Sequence, residues 1–331
     1  LNGDIKEFYK PIFTLNIHAP RLDFNDIRLV RQRDIREIND LLKDNPIWKN
    51  SIGNGIIVID NGGFKGIYIG KIDADLLLNN GLIKAKDITV KSGNDYLKGS
   101  GGLNLVSEKG LEFDINMYGK RIDLKEFIRP IGSDLRDSMS GTISLSLSLW
   151  GYGYTLEELR RSLFGKFNLY MREGMINRSR LRRGVGSILN LPTIDNGRVP
   201  EDRYQDKPYN VIKGDFLIKD GMAYTENFLI DTNEKRTFAV GNIDLGEREI
   251  NLLIGSAPLA TLDRLIDSIP IVGRIVTGDE KGLLVTYYEI KGKMSNPKIT
   301  LIPFKSLSEK IFDIIKGVLL TPREILTPSN N

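Results

Sequence analysis

Cysteine is absent from this chain of 331 residues, and histidine occurs once, at His18. With neither residue to draw on, disulfides, a Cys/His zinc site and a Cys-His nucleophile pair are excluded. A cysteine-free chain needs neither oxidising nor reducing surroundings, so its compartment stays open on this count. No run of about 18 apolar residues is present, the length a membrane-crossing helix requires. The opening Leu1-Asn2-Gly3-Asp4 has neither the basic nor the apolar region of a signal peptide and no initiator Met. The expectation is a fragment of a longer protein. Charge of one sign is not in excess either: 47 basic against 43 acidic residues give +4, too mild by itself for a nucleic-acid binder.

What the chain does have is alternation. Thr142-Ile143-Ser144-Leu145-Ser146-Leu147-Ser148-Leu149-Trp150 switches between apolar and small polar residues without a break. A period of two is that of a strand with one apolar and one wet face. Shorter stretches of the same kind are Phe113-Asp114-Ile115-Asn116-Met117, Phe167-Asn168-Leu169-Tyr170-Met171 and Tyr288-Glu289-Ile290. Each is bounded by Gly, Asn or Asp, as strand turns require. The 33 glycines are scattered along the chain, which suits many tight turns.

A repeat lies beneath the alternation. Leu76 to Ile83, with Asn80-Gly81 at its centre, leads on to Gly99, Leu103, Leu105 and the strand at Phe113. Phe216 to Ala223, centred on Asp220-Gly221, leads on to Val240-Gly241-Asn242-Ile243-Asp244-Leu245 and Ile250-Asn251-Leu252. A third, partial copy is Phe167 to Ile176, with Glu173-Gly174 in the turn position. The unit of strand, Gly turn, strand, Gly, strand predicts a meander that grows by addition.

Helices interrupt this pattern. Ile35, Ile38, Leu41 and Leu42 predict a charged amphipathic helix over about 34–44, ended by Pro46. Thr155-Leu156-Glu157-Glu158 spells a capping box opening a helix with Leu156, Leu159 and Leu163 on one face. Leu259, Leu262, Leu265, Ile266 and Ile269 mark another helix, stopped by Pro270. Leu307, Ile311, Ile314, Ile315 and Val318 mark a C-terminal one over about 305–320. Pro192 to Pro208 reads as a polar loop. The expected fold is mainly β, a repeated antiparallel meander curled into an open groove, with a few amphipathic helices. Its expected division is a groove segment over 1–139 and a C-terminal region over 140–331.

From about Ser140 to Thr327 the pattern resembles the AsmA-like family of bacterial envelope proteins, in the C-terminal region of its long YhdP-type members. The residues that carry the resemblance come in order: the strand ending in Trp150-Gly151, the helix Thr155 to Leu163 running into Gly165, the Phe216-to-Gly221 turn, and Val240 to Leu245. Ile269-Pro270-Ile271-Val272-Gly273, Gly292-Lys293-Met294-Ser295-Asn296-Pro297 and the closing helix with Pro322 complete it. Residues 1–139 match in style alone. The resemblance implies a repeating β-groove (β-taco) protein, anchored in the inner membrane by an N-terminal segment outside this sequence and crossing the periplasm. It also implies phospholipid transport between membranes, and it brings no catalytic residues.

Alternating strands can serve that task by lining a trough. The candidate lining is Phe113, Ile115, Met117, Ile143, Leu145, Leu147, Leu149, Phe167, Leu169, Met171, Phe216 and Ile218. The same alternation describes a half-buried sheet whose apolar face is covered by the protein itself. That second pattern belongs to a structural or interaction scaffold of the envelope. Eight basic residues against three glutamates lie between Leu156 and Val185. Among them Arg178, Arg180, Arg182 and Arg183 are candidates for contact with anionic headgroups, against the favoured reading of a solvated helix face. Few aromatics interleave them, which argues against nucleic acid. The C-terminal stripe either packs on the last strands or docks on a membrane, plugs the end of the groove or meets an envelope or membrane protein, and its weakly basic polar face favours capping over membrane binding. Asp73/Asp75 and Glu157/Glu158 read as solvated turn and helix residues, and His18 as an ordinary strand-end residue. Gly184-Val185-Gly186 and Gly99-Ser100-Gly101-Gly102 lack the strand-to-helix setting and the Lys-Ser/Thr of phosphate loops. No catalytic residue, metal or cofactor is expected.

Overall fold

In the computed structural model the described residues are 2–6, 10–23, 32–64, 67–127, 129–130, 139–176, 207–259, 285–303, 306–319 and 321. They are mainly β, an antiparallel meander extended strand by strand with few short helices and not closed into a barrel, the fold class the sequence predicts. The chain divides into two compact units that interleave along the sequence. The first holds 1–136, 142–168 and 217–222, and the second 137–141, 169–216 and 223–331.

In chain order the elements begin with β1 (Asn2–Lys6), β2 (Ile12–Ala19), β3 (Leu22–Asp23), α1 (Gln32–Lys43), α2 (Pro46–Lys49), β4 (Ile52–Phe64) and β5 (Ile67–Asn79). Then come β6 (Leu82–Ser92), β7 (Asp95–Asn104), β8 (Leu111–Asp123), α3 (Leu124–Phe127), β9 (Arg129–Pro130), β10 (Thr142–Gly153), α4 (Leu156–Arg161) and β11 (Phe164–Ile176). The last are β12 (Lys207–Lys219), β13 (Met222–Thr232), β14 (Lys235–Asp244), β15 (Glu249–Pro258), β16 (Thr286–Lys293), β17 (Lys298–Ile302) and α5 (Glu309–Leu319).

In the first unit β4, β5, β6, β7, β8 and β10 pair in that order, all antiparallel. Asn80 and Gly81, at φ 51° and 80°, make the tight β5–β6 turn. A two-residue hairpin loop of type I′ needs positive φ at both centres, and Asn-Gly supplies it at least cost. Asp220-Gly221 repeats this device between β12 and β13. The exceptions to antiparallel order are β2 and the short β3, which both run parallel to β4. Parallel neighbours cannot be joined by a tight turn, so the chain must return along a crossover, and α1 and α2 lie on that return. Asn45 caps α2 by accepting from the backbone N–H of Ile47 and Trp48, with Pro46 in the first turn where no donor is needed. Pro46, expected to end α1, also begins α2.

In the second unit β14, β15, β16 and β17 pair antiparallel in sequence, and both faces of β14–β16 are buried. On one face Phe238, Val240, Ala257 and Tyr287 form a core with Ile315 and Leu319 of α5. Gly255 lies opposite Phe238 in the ladder, and a side chain there would run into the Phe238 ring. On the other face Ala239, Ile250, Leu252, Ile254, Tyr288 and Ile290 form a second core. The C-terminal stripe therefore packs on its own unit.

Three local expectations need correcting. The Phe167–Ile176 copy contains no turn, because β11 runs through it to Ile176. Glu173 takes φ 52° within the strand, and a Cβ on Gly174 would strike the Ser140 carbonyl and the Tyr209 ring. That glycine answers a close approach, where the sequence suggested a reversal. The capping box forms, Thr155 Oγ1 accepting from Glu158 N at 3.1 Å, but α4 ends at Arg161, leaving Leu163 beyond it and Leu156 exposed. In α1 Leu41 is 70% exposed and Asn39 is buried in its stead; the side chains of Ile35 and Ile38 lie outside the described residues. The Leu262–Ile269 helix, most of the Pro192–Pro208 loop and the four arginines from Arg178 to Arg183 also lie outside them, while Pro208 itself belongs to β12.

Candidate functional site

Strand pairing in the first unit places apolar residues side by side across seven strands. One row reads Phe13, Gly53, Leu78, Ile83, Leu103, Phe113 and Gly151. The next reads Leu15, Gly55, Leu76, Ala85, Gly101, Ile115 and Leu149. At about 4.8 Å between strands, each row crosses roughly 29 Å of sheet. Beyond them Gly99, Met117 and Leu147 align on β7, β8 and β10. Every residue from Leu to Phe in these rows is half-buried, neither sealed in a core nor fully in water.

The glycines shape this face. A Cβ on Gly53 or Gly55 would meet the carbonyl oxygen of Phe13 or Leu15, so β2 and β4 approach too closely for any side chain there. Met117 leans over Gly99. The opposite face is polar at β7, β8, β10 and β11, where Ser148 Oγ donates to Asn116 at 2.6 Å, Ser146 Oγ to Asn168 at 3.0 Å, and Asn104 to Glu112 at 3.1 Å, while Ile52, Ile56 and Leu77 stand exposed on it at β4 and β5. Trp150 also falls on this polar side, 48% exposed and stacked on Phe164 at 4.7 Å. His18, at the end of β2, shares a hydrogen bond with Asp60 at 2.7 Å, an exposed cross-strand link.

The two ends of the face differ. At one end Ile59, Ile72 and Val90 stand in register and are buried, with Ile122, Leu124 and Ile143 also buried, closing the sheet beside α3. At the other end stand α2 and the Asn80-Gly81 turn, where Trp48 tilts against Phe13 at 6.5 Å. Comparison with protein-family models, curated proteins and solved structures finds no match to this chain. The face must be judged on its own chemistry.

Of the expected lining residues, Phe113, Ile115, Met117, Leu147 and Leu149 come together on the half-open face. Leu145 pairs with Gly119 just past a bulge, and Ile143 belongs to the closed end. Along β11, Phe167 and Leu169 are half-buried and Met171 is buried. In β12, Ile218 is buried, and Phe216 is half-buried, tilted against Phe228 at 6.2 Å. As lining, sequence reasoning missed Phe13, Leu15, Leu76, Leu78, Ile83, Ala85, Leu103 and the glycines of β4 and β7. The signals were there in the period-two alternation Phe13-Thr14-Leu15-Asn16-Ile17 and in the glycines, since a glycine inside a strand marks a close backbone approach. The parallel pairing of β2 leaves no local trace.

Among the described residues no helix is long and apolar enough to cross a membrane.

Proposed function

We propose that the half-open apolar face of the first unit holds the acyl chains of lipid, and that the chain is a section of a phospholipid conduit in the bacterial envelope. The observation that carries the reading is the continuity of the face: across seven paired strands, six supply aligned apolar side chains at half-burial and β4 supplies glycines, while β8, β10 and β11 back it with hydrogen-bonded Asn and Ser side chains. Each methylene brought into water costs about 0.8 kcal/mol, so a 16-carbon chain crossing an aqueous gap meets a penalty of about 13 kcal/mol. A continuous apolar face removes that penalty along its length and leaves the headgroup in water. The AsmA-like resemblance supplies the setting: the periplasm, with an inner-membrane anchor outside this sequence.

A scaffold reading has its own support in the second unit, where both faces of β14–β16 are buried among the described residues. In this account the first unit carries lipid and the second is a support. Mass spectrometry of lipids co-purifying with the intact chain tests it. Phospholipid in stoichiometric amount is expected, and lipid-free protein that also takes up none from vesicles contradicts it.

A further inference from the structure

The α2 end of the apolar face holds two buried polar atoms with no hydrogen-bond partner among the described residues, the Trp48 indole Nε1 and the Asn39 Oδ1. Asn39 is 2% exposed, and its Nδ2 donates to the carbonyls of Leu105 at 2.9 Å and Ser107 at 3.3 Å, on either side of Val106. The Val106 methyls and the Trp48 ring close in together on Gly81, where a Cβ would stand 2.7 Å from the methyls and 3.3 Å from Trp48 Cδ1. Trp48 stands against Phe13 and Gly81, and Asn39 holds the carbonyl of Leu105, the residue whose N–H donates to Gly81 O at 3.4 Å, so both side chains belong to the Phe13 end of the trough. Leaving such groups unpaired is costly, because each was hydrogen-bonded to water in the unfolded chain.

Resting on the lipid reading above, we infer that this end of the trough recognises the polar linkage of an acyl lipid. The Trp48 N–H donates to an ester or amide carbonyl, and Asn39 Oδ1 accepts from a neighbouring hydroxyl or amide N–H. The ligand class is an acyl ester or amide with a free donor next to the carbonyl, its hydrocarbon lying along the strands toward the closed end. A hydrocarbon of equal length fills the face without satisfying either atom. A phosphate further out on the headgroup is not contacted by this pair.

The chain contains two tryptophans, so an indole-labelled sample gives two N–H resonances, with exposed Trp150 as internal control. Delipidated intact protein is titrated with a monoacylglycerol and, separately, with an n-alkane of the same chain length. The monoacylglycerol is expected to move the Trp48 N–H resonance downfield and leave Trp150 in place, whereas the alkane binds without moving the N–H. Trp48→Phe, which keeps the ring against Phe13 and removes the donor, is expected to weaken monoacylglycerol binding about 5- to 10-fold, the scale of one net hydrogen bond, and to spare alkane binding. Monoacylglycerol binding with an unmoved Trp48 N–H and an unaffected Trp48→Phe variant overturns the inference and leaves the lipid reading standing. A Trp48 N–H already bonded to a buried water and unchanged on titration overturns it as well. If neither probe binds, the lipid reading itself fails and the inference falls with it.

Discussion

Arg236 of β14 is held from both sides. Its Nε donates to Asp231 Oδ1 at 3.0 Å and its Nη1 to the carbonyls of Leu319 at 2.6 Å and Thr321 at 2.9 Å, so one buried guanidinium ties the sheet to the end of α5. Both members of the ion pair are almost wholly buried, at 4% and 1% exposure, and neither charge has water to fall back on. Removing one partner strands the other. Arg236→Met is therefore expected to cost about 3–5 kcal/mol, read from urea unfolding, and Arg236→Met with Asp231→Leu less than the single change. A single variant within 1 kcal/mol of the parent contradicts the tie. Tyr209 and Tyr287 offer a second check, since burial pushes both phenols up to about 12. An unfolded tyrosine ionises near 10, so the folded state holds these protons longer. Their contribution to stability is complete below pH 10 and is lost as pH rises towards 12. Melting temperature followed from pH 9 to 11.5, with tyrosinate absorbance alongside, should fall as the phenols ionise on unfolding. Ionisation of all tyrosines near pH 10 in the folded protein contradicts their burial.

At the scale of elements, local chemistry decides short pieces and strand pairing decides the rest. Thr155 caps α4, and Glu158 reaches back past the cap to accept from Tyr154 N at 2.7 Å. Thr155→Ala is expected to cost about 1 kcal/mol in denaturant unfolding, with Thr155→Ser near parent stability; equal loss from both changes contradicts a capping role. Motifs of this sort were legible in the sequence: the capping box, the Asn80-Gly81 and Asp220-Gly221 turns and the period-two strands β8 and β10 all lie where the residues predict. Glu173-Gly174 shares their spelling but sits inside β11, because Ser140 and Tyr209 crowd it from elsewhere in the fold. The short run of α4 and the burial of Asn39 in place of Leu41 are likewise set by what each helix lies against. Half of the candidate face came from alternation in β8 and β10. The other half, on β2, β4, β5, β6 and β7, depends on register, which a linear sequence does not display.

For the whole molecule, the contrast between its units carries the functional argument. One unit aligns Phe, Leu and Ile across six of seven paired strands and leaves them half-buried, while the other buries both sides of its β14–β16 sheet. A protein that needed only stability has reason to seal the first face too, because burying one large apolar side chain is worth about 1.5–3 kcal/mol. An apolar face kept half-open along a polar-backed sheet is what a lipid path requires. The polar ladder provides its control, since Ser146 and Ser148 alternate with Leu147 and Leu149 on the same strand and point the other way. The most direct measurement is photo-crosslinking in bacterial cells, with the reactive group placed in turn at Ile115, Leu147 and Leu149 and at Ser146 and Asn116. Lipid adducts at the first three positions well above those at the last two are the predicted result. Equal capture on the two faces, or capture of protein alone at Leu147 and Leu149, contradicts the lipid path.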